Sequence, residues 1–156
     1  MKRIALPLLI SFIFLLMGTA VQAQPVMKGK AKNVINRSAI VIYAAHKYTI
    51  VNQVFTGNLK KAVVHQNLAI SLYKDGLYMR AIHHSRYARE FAALQLEANK
   101  GTYPAGFEPA FDELPDGPEP NQDLLDFNAD ESTFNSTISD DEELSKEKLD
   151  NLEIKE

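Results

Sequence analysis

The distribution of proline most constrains how this chain can fold. No proline lies between Pro25 and Pro104, whereas five of the seven prolines fall between residues 104 and 120. Proline interrupts a helix because it lacks a backbone N–H and its ring clashes with the preceding turn. The chain therefore has a proline-free stretch, residues 26–103, in which long helices are permitted, and a proline-rich stretch, residues 104–120, in which they are not.

Residues 1–23 have the layout of a secretory signal peptide. A basic start precedes an apolar run over residues 4–17, and small residues follow at the positions that a signal peptidase reads. We expect cleavage after Ala23, a mature chain that begins at Gln24, and export to the periplasm or the cell exterior. An uncleaved membrane anchor is the alternative, but the apolar run is short and contains a proline. No membrane span is expected once the signal is removed.

Hydrophobic periodicity predicts three helices in the earlier part of the mature chain. After a short N-terminal segment, 24–30, apolar side chains recur at helical spacing over residues 31–56, and glycine-containing breaks separate this pattern from two more, 59–74 and 77–99. The predicted fold class is all-α. It is a small basic three-helix domain over residues 31–100, in which a helical hairpin packs on a long first helix.

The run from Ala39 to Ala45 is apolar on every side. Its β-branched residues would also suit a buried strand, but the long surrounding pattern favours a helix. A helix that is apolar all round is usually central in a bundle or buried by a partner. Because three short helices leave part of such a surface uncovered, the sequence leaves self-association open.

The charge of the chain changes sign near residue 103. Residues 27–103 carry twelve basic and three acidic side chains, whereas residues 104–156 carry seventeen acidic and three basic ones. Opposite charges on one chain attract, so the acidic part can dock on the basic body or mask it from another anion. The sequence leaves both possibilities open.

The acidic part is predicted to be mostly disordered. Residues 101–139 combine prolines and acids with few apolar side chains, and such a segment cannot offset the entropy lost on ordering. Residues 140–156 form an acidic tail in which a marginal helix is expected over residues 140–154. Ser139 and Glu142 have the spacing of a capping box at the start of that helix.

A stretch in the middle of the chain carries small residues at regular helical positions. They are Leu68-Ala69 in one helix, the turn Gly76-x-Tyr78-x-x-Ala81, and Ala88 seven residues further on. Over residues 65–93 this pattern resembles a single tetratricopeptide (TPR) helix pair. No second copy is found 34 residues away, although stable arrays need about three repeats. The resemblance implies a lone helical hairpin and a protein- or peptide-binding role.

Candidates for chemistry are few. The chain has no cysteine, which excludes disulfides, thiol nucleophiles and zinc–thiolate sites. No two histidines lie four apart on one predicted helix, so no metal site is expected. Neither a nucleophile elbow nor a phosphate-binding loop is present, and we expect no cofactor and no enzymatic activity. The histidines considered are His46, His65, His83 and His84.

The leading functional expectation is a non-enzymatic protein-interaction module of the cell envelope or exterior, acting on an unknown protein partner. The expected interaction face lies on the helical hairpin. It comprises Tyr73, Tyr78, Arg80, His84 and Tyr87. The alternative is a basic module that binds an anionic membrane or envelope polymer and is masked by its own acidic tail. Nucleic acid is not expected as a partner, because the chain is exported.

Overall fold

Three long helices form the body of the protein. The computed structural model describes residues 5–113 and 139–155, with the backbone alone for residues 5–24. No strand occurs within these ranges, and the predicted all-α three-helix unit is confirmed. The helices are α1 (Ala5–Asn52), α2 (Asn58–Lys74) and α3 (Tyr78–Ala98).

The ends of α2 and α3 agree with the sequence prediction within one residue, whereas α1 differs at both ends. It begins well before residue 31 and stops at Asn52, four residues earlier than predicted. Gln53 adopts a left-handed φ of 56°. Val54 then turns its backbone towards α3, where its N–H donates to Asn99 Oδ1 and its carbonyl accepts from Asn99 Nδ2. These tertiary hydrogen bonds replace the next turn of the helix.

Most of the predicted signal peptide lies within α1. The helix runs without a break from residue 5 through Pro25 into the body, and residues 1–4 lie outside the described residues. Cleavage after Ala23 stays a prediction. Among the described helices, none is both long enough and apolar enough to cross a membrane.

A tight turn joins α2 and α3 into the expected hairpin. Gly76 has φ 78°, a left-handed conformation that glycine adopts without steric cost. The N–H of Gly76 donates to the Tyr73 carbonyl at 3.1 Å, and that of Leu77 donates to the Leu72 carbonyl at 2.9 Å. This pair of bonds satisfies the last carbonyls of α2 in a Schellman motif. The turn therefore ends one helix and reverses the chain for the next.

The core contains side chains from the acidic part of the chain as well as from the three helices. One buried cluster is centred on the apolar run of α1 and includes Leu144 and Leu152. A second cluster, towards the α2–α3 turn, includes Ile154. The C-terminal residues therefore cover part of the apolar surface of α1 that the sequence analysis left open to self-association.

The described ends of the acidic part follow defined paths over the bundle. Residues 101–113, which we predicted to be disordered, pack Tyr103 and Phe107 against the first core cluster and end in a 3-10 helix, Phe111–Glu113. Residues 114–138, the rest of the predicted disordered segment, lie outside the described residues. The prediction of disorder is therefore wrong for residues 101–113, because a hydrophobic period in the sequence does not reveal tertiary contacts.

The predicted C-terminal helix is shorter than expected. It is limited to α4 (Asp141–Lys146), and the chain continues to residue 155 without helix. The predicted capping box of Ser139 and Glu142 is not formed; instead Asp140 is the N-cap and accepts from the Glu143 N–H at 2.9 Å. The Ser139 hydroxyl donates to Glu147. The N-cap is therefore one residue later than predicted, because the Asp140 carboxylate accepts this hydrogen bond.

Candidate functional site

The segment of residues 147–155 lies across α1 and α2 in an irregular path. Leu152 is 3% exposed and Ile154 is 8% exposed, whereas Glu153 between them is only half-buried. Alternate side chains therefore enter the bundle, as they do in an extended segment bound on one face. We call the surface that holds residues 139–155 the peptide groove. Its polar members are Asn36, Tyr43, His46 and Gln66.

Asn36 pairs with both backbone groups of one residue of the segment. Its Nδ2 donates to the Ile154 carbonyl at 3.1 Å, and its Oδ1 accepts from the Ile154 N–H at 2.8 Å. A side-chain amide has the same donor and acceptor as a peptide unit, so this pairing imitates one rung of a β-ladder. The contact recognises the backbone and not the side chain of residue 154.

Gln66 binds the segment from α2. Its Nε2 donates to the Leu152 carbonyl at 2.7 Å and to the Ile35 carbonyl of α1 at 2.8 Å. Its Oε1 accepts from the Ser85 hydroxyl at 3.1 Å. The buried amide is thus satisfied on both sides and connects three helices and the segment, which makes it costly to disturb.

Two further side chains of α1 contact the backbone of the C-terminal residues. The Tyr43 hydroxyl accepts from the Leu152 N–H at 3.3 Å. Burial raises the pKa of the Tyr43 phenol, so the hydroxyl stays protonated at neutral pH. Nε2 of His46 lies 2.8 Å from the Leu144 carbonyl. A carbonyl only accepts hydrogen bonds, so this nitrogen carries the proton.

The acidic side chain of Asp141 closes the N-terminus of α2. Its Oδ2 accepts from the backbone N–H groups of Thr56 at 3.0 Å and Gly57 at 2.6 Å, and its Oδ1 accepts from the backbone N–H of Lys60 at 2.8 Å. Gly57 is the N-cap residue and has no side chain to fill that role. A carboxylate from α4, far along the chain, therefore supplies the cap and favours the positive end of the helix dipole.

A buried ion pair fixes the other described end of the acidic part. The carboxylate of Glu113 contacts the guanidinium of Arg89, and the two side chains are 3% and 2% exposed. Arg37 Nε donates to the same carboxylate at 2.8 Å. Burial acts to raise the pKa of Glu113, but the hydrogen bonds and charges of Arg89 and Arg37 outweigh it and hold the pKa below its ordinary value. The acidic part thus docks on the basic body through at least this residue.

His65 and His84 lie together inside the bundle, His46 lies against α4, and His83 is buried on α3. Nδ1 of His65 lies 3.1 Å from Nδ1 of His84, so one ring donates and the other accepts. Burial, with smaller contributions from Arg80 and His83, lowers the pKa of His84 to about 4. His46 instead contacts α4. Within the part of the chain that the structure describes, no group of three or more potential ligand residues could hold a metal ion.

The five residues of the predicted interaction face do not share one exposed surface. His84 is fully buried against His65, so it cannot belong to such a face, and this part of the prediction is wrong. The Tyr87 ring lies 6.0 Å from the His65 ring, and Arg80 is half-buried near His84. Tyr73 and Tyr78 do come together, with ring centroids 5.5 Å apart, and line a cleft at one end of the bundle.

The groove residues Asn36 and Gln66 were not predicted from the sequence. Both are amides on helices whose other inward positions are mostly apolar, and that contrast was the available signal. A second signal was Leu152 together with Ile154, apolar residues without a helical period in an acidic tail. The two amides and the two apolar residues each lack a partner within their own element. Their presence together indicates that one element supplies the partner of the other.

Comparisons of this chain with protein-family models, with curated proteins and with solved structures each found no match.

Proposed function

We propose that this chain is an exported, non-enzymatic protein-interaction module whose peptide groove holds an extended segment of a partner. The chain's own residues 139–155 occupy the groove, and residues 147–155 leave it when a partner supplies a competing segment. The observation that carries this proposal is the set of side-chain to backbone hydrogen bonds from Asn36, Gln66 and Tyr43 to residues Leu152 and Ile154.

Recognition through the backbone supports a groove that can bind segments other than the chain's own. The Asn36 pairing and the Gln66 contact engage peptide groups that every segment possesses, and only the two apolar positions demand particular side chains. Addition of an extended segment to unpaired polar groups, with pockets for alternate side chains, is a recurring mode of peptide binding. The partner segment expected is therefore two aliphatic residues separated by one polar residue, as in Leu152-Glu153-Ile154.

The intramolecular segment sets how strongly a partner must bind. A tethered segment has an effective concentration in the millimolar range for a flexible link, so it competes strongly with a free peptide. We expect the wild-type chain to bind a peptide of residues 147–155 weakly. The full-length double variant Leu152→Asp/Ile154→Asp, which cannot place charged side chains in the groove, should bind it about tenfold or more tightly.

Two amides on α1 provide a matched pair of variants. Asn33→Ala changes an exposed amide one turn before the groove, and Asn36→Ala removes the pairing with the segment. Introduced into the double variant, Asn36→Ala should weaken peptide binding, and Asn33→Ala should leave it unchanged. Fluorescence anisotropy of a labelled peptide measures both. A folded double variant that does not bind the peptide would overturn the proposal.

Hydrogen exchange tests the same proposal on the unmodified protein. A segment that yields to partners must open more readily than the bundle, so the Ile154 amide should exchange faster than buried amides of α2 such as that of Ala69. If the Ile154 amide exchanges only when the whole protein unfolds, the segment is a permanent part of the hydrophobic core and the groove is not a binding site.

A further inference from the structure

A second candidate site lies at the end of the bundle beside the α2–α3 turn. It is a cleft of about 590 Å³ between α1, the last turn of α2, the first turn of α3 and the C-terminal segment. This volume is within the range of sites that hold small organic molecules, about 300 to 1,000 Å³. The cleft adjoins the peptide groove but contains none of the groove's four polar residues.

Aromatic and aliphatic side chains form the apolar part of the cleft. The rings of Tyr73 and Tyr78 lie 5.5 Å apart and are tilted by 60° to each other. Tyr73 is buried, so packing holds its ring in place, and Ile70 and Ile154 are buried beside it. Tyrosine pairs of this kind offer a rigid apolar surface to a ring or a short aliphatic group.

The charged side chains around the cleft are mostly basic. Among the described lining residues there are three lysines, Lys28, Lys74 and Lys155, and one carboxylate, Glu153. They come from α1, from the end of α2 and from the C-terminal segment, and all three lysines are exposed. The ammonium group of Lys28 lies 6.0 Å from the centre of the Tyr73 ring. Cations that line the same cleft as aromatic rings attract an anion whose remainder can pack on the rings.

We propose that this cleft binds a small organic anion, with a phosphate or carboxylate group held by Lys28, Lys74 and Lys155. The ring or aliphatic portion that carries the anionic group packs against Tyr73 and Tyr78. The same chemistry occurs in a soluble phosphorylated compound and in the headgroup of an anionic lipid. This site goes beyond the proposed peptide binding and does not depend on it.

The cleft is nevertheless linked to the peptide groove by a shared wall. Four of its lining residues belong to the segment that fills the groove, namely Asn151, Glu153, Ile154 and Lys155. A ligand that touches both the bundle and this segment favours the docked state of the segment. By reciprocity, displacement of the segment by a partner weakens binding of the ligand. This coupling rests on the proposed function, whereas the anion site itself does not.

Phenyl phosphate is a suitable probe because it joins a ring to a phosphate. Titrated into the full-length, isotope-labelled protein, it should cause saturable shifts of the amide resonances of Tyr73, Tyr78 and residues 151–155. Inorganic phosphate lacks the ring and phenol lacks the charge, so each should bind more weakly than phenyl phosphate. Absence of saturable shifts at these residues would overturn the proposal.

Two double variants with the same change in net charge separate a site from general electrostatics. Lys28→Gln/Lys74→Gln removes two cations of the cleft, and Lys47→Gln/Lys61→Gln removes two exposed cations elsewhere. The first should weaken the affinity for phenyl phosphate by about tenfold or more, because charge-assisted contacts are lost. The second should leave its affinity unchanged. Equal losses in both variants would also overturn the proposal.

Vesicles distinguish the two sources of the anion once phenyl phosphate binding is established. If vesicles that contain anionic phospholipid displace phenyl phosphate and neutral vesicles do not, the ligand is a lipid headgroup. If neither displaces it, the ligand is a soluble anion, and both results keep the site. Peptide binding by the Leu152→Asp/Ile154→Asp variant is measured without any anion, so failure of one proposal leaves the other intact.

Discussion

The carboxylate of Asp141 accepts a hydrogen bond of 2.6 Å from the N–H of Gly57, the residue at the N-cap of α2. Gly57 has φ 82°, which favours glycine and thereby excludes a residue that could cap the helix itself. The aspartate is 2% exposed and comes from α4. The start of a central helix and the position of the acidic tail are therefore parts of one contact.

Removal of this cap should destabilise the whole protein. We expect Asp141→Ala to lower the free energy of unfolding by about 1 to 2 kcal/mol, because three backbone N–H groups lose their acceptor. Urea denaturation monitored by circular dichroism measures the change. The matched variant Glu142→Ala removes an exposed neighbouring acid and should cost less than about 0.5 kcal/mol. Equal effects in the two variants would show that the cap contributes nothing.

The buried pair of Arg89 and Glu113 should be sensitive to loss of one partner and tolerant to loss of both. Arg89→Met leaves the Glu113 carboxylate with Arg37 alone in a dry site and should cost about 3 to 5 kcal/mol. The double variant Arg89→Met/Glu113→Leu should cost much less, because no uncompensated buried charge remains. Denaturant unfolding of the two single variants and the double variant forms a cycle. Additive losses would contradict this account.

Glu113 should also contribute to acid unfolding. Its pKa is held below the ordinary value of 4.5 in the folded protein, so the folded state binds fewer protons than the unfolded state as the pH falls. The stabilisation is present above pH 4.5 and is lost as the pH decreases towards the native pKa of Glu113. In Glu113→Gln, the dependence of stability on pH below 4.5 should be smaller than in the wild type. An unchanged dependence would contradict the assignment.

His84 should affect the free energy of unfolding in a different pH range. Its pKa is lowered from 6.5 to about 4, so the unfolded state takes up a proton between these values while the folded state does not. Stability should be complete above pH 6.5 and fall as the pH decreases from 6.5 to 4. Replacement by leucine removes the titrating group and should flatten the stability curve in this window. An NMR titration of the His84 ring that shows a midpoint near 6.5 would contradict the prediction.

Two adjacent residues at the end of α3 have opposite steric requirements. Lys100 has φ 52°, the conformation that glycine prefers at this position of a helix end, so Lys100→Gly should leave stability unchanged or raise it by up to about 1 kcal/mol. A methyl group at Gly101 would lie 2.7 Å from Leu96 and 2.8 Å from Tyr48. Gly101→Ala should therefore cost about 1 to 3 kcal/mol in thermal or urea unfolding. The reverse order of the two effects would contradict this assignment.

Much of the bundle could be predicted from local patterns. The small residues Ala69, Ala81 and Ala88, noted at regular helical positions in the sequence, are buried, and the glycines of the two breaks, Gly57 and Gly76, lie directly before α2 and between α2 and α3. The candidate site was largely missed. Of the predicted face, only Tyr73 and Tyr78 line a cleft together, and His84 is buried. A side chain on a helix can be assigned to an inner or outer stripe, but not to a particular neighbour from another element.

The amino-acid sequence alone determined the helical class, the number of long helices and the change from a basic to an acidic part. These properties depend on proline placement, hydrophobic period and charge, which are patterns among residues close in sequence. Only the tertiary structure decided that Asp141 caps α2, that Glu113 meets Arg89, and that Ile154 pairs with Asn36. Each of these contacts joins residues far apart in sequence. It forms because a buried polar group must find a partner somewhere in the fold, and the partner's position in the chain carries no local pattern.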